Sequence, residues 1–197
     1  MPINSGYYDA PVQISRVIDN ISRRAVDGTV DETAKYKLAN TSDSSAISDT
    51  ASETNFSTTR TLSSSLWKVG GIFRLTASGV YSTTGTPTLT FRVKLGSTNV
   101  VVFTAKTGIN NASNQSWLIE ADIVCRTTGS SGTIMGYGRI HINTSAGVDT
   151  SEVVINSSTT SINTTANQIL QISLTWSAAS TSNTATMKNY ILGLLNY

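Results

Sequence analysis

Apolar and polar residues alternate without a break from Thr88 to Leu95. Leu89, Phe91, Val93 and Leu95 fall on one side of an extended chain, with Thr88, Thr90, Arg92 and Lys94 on the other. Successive side chains of a strand point to opposite faces, so this pattern demands a strand with one buried and one wetted face. The same period recurs along the chain. Phe73, Leu75, Ala77 and Tyr81 oppose Arg74, Thr76 and Ser78; Trp117, Ile119, Ala121, Ile123 and Cys125 oppose Glu120, Asp122 and Arg126. Ile134, Ile140 and Ile142 oppose Tyr137, Arg139 and His141, and Leu170, Ile172, Leu174 and Trp176 line a further strand. The stretch "GSTN" (96–99) marks a hairpin turn. Behind it, Val100 to Phe103 is apolar on both sides and requires cover on both. Short strands at such spacing predict an all-β chain of about eight strands, a jelly-roll or other Greek-key sandwich.

A length of 197 residues suffices for one β domain with an appended arm. Charged residues make up only 13% of the chain, about half the usual share, and 28 Ser and 30 Thr supply the wetted surface instead. A net charge of +2 without a basic cluster gives little pull on nucleic acid or on an anionic membrane. No segment reaches the ~18 apolar residues of a membrane span, and the N-terminal residues lack the pattern of a secretion signal. Cys125 is the single cysteine, so the fold is expected to hold by packing or association, as suits synthesis in a reducing cytoplasm.

Charge divides the chain. Residues 1–37 carry Arg16, Arg23, Arg24, Lys35 and Lys37 with Asp9, Asp19, Asp27, Asp31 and Glu32. Within this arm Ile14, Val17, Ile18 and Ile21 fall at helical spacing behind Asp9 and Pro11, a stripe that needs a surface to cover it. The expected organisation is an extended or partly helical N-terminal arm, 1–37, and a β-sandwich domain, 38–197. The Ser/Thr-rich stretch 39–57 is expected to be a solvated linker, with an irregular strand as the alternative. At the other end, residues 186–197 are apolar on both faces, with Tyr190, Leu192 and Leu194 on one side and Ile191, Leu195 and Tyr197 on the other. Such a strand is either central in a sheet or at a subunit contact, for which Tyr190, Leu192, Leu194 and Tyr197 are the candidates.

Candidates for chemistry are few. His141 is the only histidine, which limits any triad or metal cluster to one such member, and a surface or interface role is expected. Cys125 alternates with core residues and reads as a buried, inert thiol. Glu120 and Asp122 stand two apart, as a glycosidase pair might, but share a face with Arg126 and read as a charge ladder. Asp149 and Glu152 have no calcium-loop spacing and suggest a turn. The glycines of "GYG" (136–138) and "GSSG" (129–132) lack the helix that a phosphate loop requires. No catalytic residue, metal or cofactor is expected.

The runs "FSTTRTLSSSLWKVGGIFRLTASG" (56–79), "YSTTGTPTLTFRVKLG" (81–96), "SWLIEADIVCRTTG" (116–129) and "LQISLTWSAAS" (170–180) resemble the jelly-roll virion proteins of tailed bacteriophages. That group comprises capsid cement proteins, head fibres and tail-fibre knobs, commonly trimeric. The resemblance implies a jelly roll from about residue 38, no enzymatic activity, and a virion protein made in the host cytoplasm. Two roles follow from it. In the first, a homotrimeric cement protein on the capsid surface grips the major capsid protein through Ile14, Arg16, Val17, Ile18, Ile21, Arg23 and Arg24. In the second, a fibre or receptor-binding protein offers a glycan site. Exposed aromatics usually mark such sites, and only Trp67 has a loop-like setting, since Trp117 and Trp176 alternate with core residues.

Overall fold

The computed structural model describes residues 36–144 and 147–195. The arm candidates Ile14, Arg16, Val17, Ile18, Ile21, Arg23 and Arg24, and Tyr197 of the last strand, lie outside these residues. In chain order the strands are β1 (Tyr36–Ala39), β2 (Ile47–Ser48), β3 (Thr54–Asn55), β4 (Arg60–Leu62), β5 (Ile72–Ser82), β6 (Thr88–Leu95) and β7 (Thr98–Val102). They continue with β8 (Lys106–Thr107), β9 (Gln115–Thr127), β10 (Gly132–Thr144), β11 (Gly147–Ile155), β12 (Thr160–Ile162), β13 (Gln168–Trp176) and β14 (Thr184–Leu195). Eight of these strands have five residues or more, which is the predicted number; the other six are short additions to their edges and ends.

Two antiparallel sheets form a sandwich. The larger runs β1-β14-β5-β9-β10-β11, with β2 on β14 and β12 on β10; the smaller runs β3-β13-β6-β7, with β4 on β13 and β8 on β6. Among the long strands the first pairs with the last (β5 with β14) and the second with the penultimate (β6 with β13). This nested wrapping is the jelly-roll pattern.

The period-two faces meet as predicted. Phe73, Leu75, Ala77 and Tyr81 on β5 and the row from Trp117 to Cys125 on β9 are each at most 2% exposed, as are the inward residues of β6 and β13. Trp117 sits between sheets, its ring 5.0 Å from Phe91 and 5.5 Å from Phe56. Burying side chains of this size stabilises by about 1.5–3 kcal/mol each. Val100 and Val101 are both buried, and only Val102 of that run is exposed. A register shift against β6 between Val93 and Lys94 lets two consecutive residues turn inward.

The glycines of "GYG" serve this packing. A Cβ on Gly136 would lie 2.7 Å from Val100 Cγ1, and one on Gly138 would lie 2.7 Å from Val101 Cγ1. β7 therefore rests directly on the backbone of β10.

Three expectations change. Residues 39–57 are not a linker: β2 joins the larger sheet, β3 joins the smaller, and Ile47 and Phe56 are buried. The segment crosses from one sheet to the other and closes one end of the core, helped by the indole N–H of Trp176, which donates to the Ile47 carbonyl at 3.3 Å. Trp67 is 5% exposed, its ring packed 4.6 Å from Phe73, so it is no outward platform. Tyr190, Leu192 and Leu194 are also interior residues of a single chain. β14 lies between β1 and β5, the smaller sheet covers its inner face, and the Tyr190 hydroxyl donates to Leu170 O at 3.0 Å. Of the two alternatives for this strand, the structure shows the one central in a sheet. Leu192 and Leu194 line a small apolar pocket of about 140 Å3 with Leu38, Leu62, Leu66 and Phe73.

Candidate functional site

The outward face of the larger sheet carries a regular grid. Cross-strand register sets Arg74, Asp122 and Tyr137 in one row, Thr76, Glu120 and Arg139 in the next, and Ser78, Leu118 and His141 in a third. Val80, Ser116 and Asn143 stand at the end of this grid, on the same outward face. Over the Ser78 row lies a groove of about 660 Å3, bordered by Ser78, Ser116, Leu118, His141, Asn143, Lys188 and Asn189. Half-buried Leu118 supplies an apolar patch at its centre, and hydroxyl, amide and imidazole groups surround it.

One wall is a β-bulge. Met187 pairs with Gly79 and Asn189 with Ser78, so Lys188 is an extra residue on β14. Gly79 permits this, because a Cβ there would stand 2.0 Å from the Thr186 carbonyl oxygen and 2.6 Å from Cζ2 of Trp117. The polar groups of the bulge find partners: Asn40 Nδ2 donates to Lys188 O at 2.9 Å, and Asn40 Oδ1 accepts from the Tyr190 amide at 2.7 Å. Lys188 Nζ reaches Asp43 at 2.5 Å. Asn189 Nδ2 donates to Ser78 Oγ at 3.1 Å. A hydroxyl that accepts one bond keeps its own O–H and a second lone pair.

The far wall is fixed from below. Tyr81 points inward from β5, and its hydroxyl donates to Asn143 O at 2.5 Å and accepts from the Ile109 amide at 3.4 Å. Burial raises the Tyr81 phenol above its ordinary pKa despite the opposing hydrogen bond with Ile109, so it stays protonated as a donor. The Asn143 side chain donates to Gln115 Oε1 at 3.2 Å.

Beside the groove along the strands is a second depression of about 290 Å3, bordered by Arg74, Thr76, Glu120, Asp122, Tyr137 and Arg139. Arg74 grips Asp122 in bidentate fashion, with both bonds at 2.8 Å, and Arg139 pairs with Glu120 through Nε at 3.0 Å and through Nη2. The predicted charge ladder is thus present, with Arg74 and Arg139 across the strands as partners in place of Arg126 along the same strand. Each carboxylate is held by a guanidinium from a neighbouring strand, as in a structural ion-pair ladder.

The other candidates disperse. Cys125 is fully buried on the inner face, and burial raises its thiol pKa, as expected of an inert thiol. Glu152 turns away from the grid and accepts from the Thr104 amide at 3.0 Å, from its hydroxyl at 2.7 Å and from Lys106 at 2.9 Å. His141 does reach the groove. Ser78, Ser116, Leu118, Asn143, Lys188 and Asn189 escaped the sequence reading as a group, because only the cross-strand register places them side by side.

No protein-family model matches the chain, and no curated protein matches its sequence. Among solved structures it is similar to the CBM2 module of the evolved Dit of Lactobacillus casei BL23 phage J-1, with 9% identity over 71% of this chain and 70% of that one and a TM-score of 0.36. It is also similar to lectin UEA-II complexed with galactose, with 8% identity over 83% of this chain and 100% of the other and a TM-score of 0.39. Peanut lectin with a nine-residue peptide gives 4% identity over 82% and 100%, with a TM-score of 0.34.

Proposed function

We propose that this chain is a carbohydrate-binding β-sandwich module of a phage virion, acting as a fibre or receptor-binding protein, and that it binds without catalysing. The observation that carries the reading is the groove on the outer face of the larger sheet. It offers an apolar centre at Leu118 and a rim of Ser78, Ser116, His141, Asn143 and Asn189, which matches the mixed apolar and hydroxyl surface of a sugar. The cement reading rests on arm residues outside the described part, and nothing in the sandwich adds to it. In this proposal the N-terminal residues attach the module to the virion, and the groove faces the host.

A microarray of bacterial surface polysaccharides probed with the labelled full chain tests it. The unaltered protein should bind, His141→Ala should bind at least tenfold more weakly, and Ser116→Trp, which fills the groove from an exposed position, should not bind. Binding untouched by both changes, or binding only to capsids, would overturn the reading.

A further inference from the structure

We propose, resting on the groove as a glycan site, that its ligand is an uncharged polysaccharide chain lying along β5, β9 and β10, with a second subsite over Tyr137. The two depressions are consecutive parts of one surface: the row Thr76, Glu120, Arg139 directly follows the row Ser78, Leu118, His141, and Tyr137 lies in the row after that. From Ser116 to Asp122 the strand advances six residues, which at a rise of ~3.3 Å per residue is about 20 Å, longer than any single sugar ring.

Charge selects the class of chain. Across the second depression, Arg74 and Arg139 balance Asp122 and Glu120, and beside the groove Lys188 is balanced by Asp43. Paired in this way, the residues bordering the two depressions exert no net attraction on a uronate or phosphate polymer. It presents guanidinium donors and carboxylate acceptors side by side, the complement of neighbouring sugar hydroxyls. Tyr137 is 36% exposed and has exposed Ile155 beside it on β11. Its ring is the aromatic surface of this face on which the C–H side of a sugar can rest.

Titration calorimetry of the full chain with malto-, cello- and chito-oligosaccharides, from monosaccharide to octasaccharide, tests the inference, with hyaluronan and polygalacturonate fragments as acidic probes. Affinity for at least one neutral series should rise tenfold or more with length. Tyr137→Ala should lose fivefold or more against the long members and little against the shortest, while Tyr137→Phe keeps the unaltered affinity. A monosaccharide bound as tightly as the octamer and indifferent to Tyr137→Ala would leave a single-sugar site and overturn the chain-binding inference alone. Preference for the acidic fragments would overturn the uncharged class. Binding to none of the series, together with a blank polysaccharide array, would overturn the glycan reading as well.

Discussion

Glu152 on β11 and Lys106 on β8 meet at 2.9 Å, joining the edge of the larger sheet to the smaller one. β7 and β11 are the third and sixth long strands, the pair that a jelly roll would zip together, yet among the described residues no ladder joins them. The Glu152 carboxylate, bound also by the Thr104 amide and hydroxyl, takes the place of that ladder. Partial burial pushes its pKa up, but the hydrogen bonds from Lys106 and Thr104 and the Lys106 charge outweigh this and hold it below its ordinary value of 4.5.

Its contribution should therefore be complete above about pH 4.5 and fade as the pH falls through the lower folded value, since the unfolded chain takes up the proton more readily. Glu152→Gln is expected to cost about 1–2 kcal/mol near neutrality. Urea denaturation at two pH values checks this: the gap between the two proteins should narrow in acid, and an unchanged gap would refute the assignment.

Gly79→Ala should be among the most damaging single-methyl additions in the sandwich. The nearest obstacle is a backbone oxygen, Thr186 O, which cannot swing aside as a side-chain tip can. Overpacking costs about 1–3 kcal/mol, and here the bulge must move too. Thermal unfolding should show a clear fall in Tm, with glycan binding lost in whatever folded protein remains.

Leu192 and Ile191 are neighbours on β14 with opposite surroundings, 5% and 40% exposed. Leu192→Ala is expected to cost about 2–5 kcal/mol. Ile191→Ala should stay within about 0.5 kcal/mol. If light scattering finds the protein oligomeric, Leu192→Ala should lower stability without altering subunit number, because that side chain is only 5% exposed within one chain.

The thiol of Cys125 should be silent toward Ellman's reagent in the native protein and react fully in denaturant. Rapid reaction under native conditions would mean that β9 and the turn at Gly70–Gly71, which exchanges backbone hydrogen bonds with Cys125, open easily.

Much of the sandwich was legible because alternation is a local property. The inward row from Trp117 to Cys125 could be read from its own residues, as could the split of Leu89 to Leu95 from Thr88 to Lys94. Residues 39–57 are not legible as strands because strands of two residues carry no period, although Ile47 and Phe56 within them are buried in the core. The groove was illegible for another reason. Ser78, Leu118 and His141 are 40 and 23 positions apart in sequence and become neighbours only through the registers of β5, β9 and β10. The ion pairs show the same limit: Glu120 and Asp122 were visible as a pair, whereas their partners Arg139 and Arg74 depended on which strands flank β9.

Most of the groove is bordered by strand residues, whose backbones are pinned by ladders on both sides. Specificity in such a surface changes by exchanging side chains on a fixed lattice, without remodelling loops. Under the proposed glycan reading, codon randomisation at positions 78, 116, 118, 141 and 143 alters which sugar is preferred while the spacing between contact points stays constant, so preference shifts by point substitution alone.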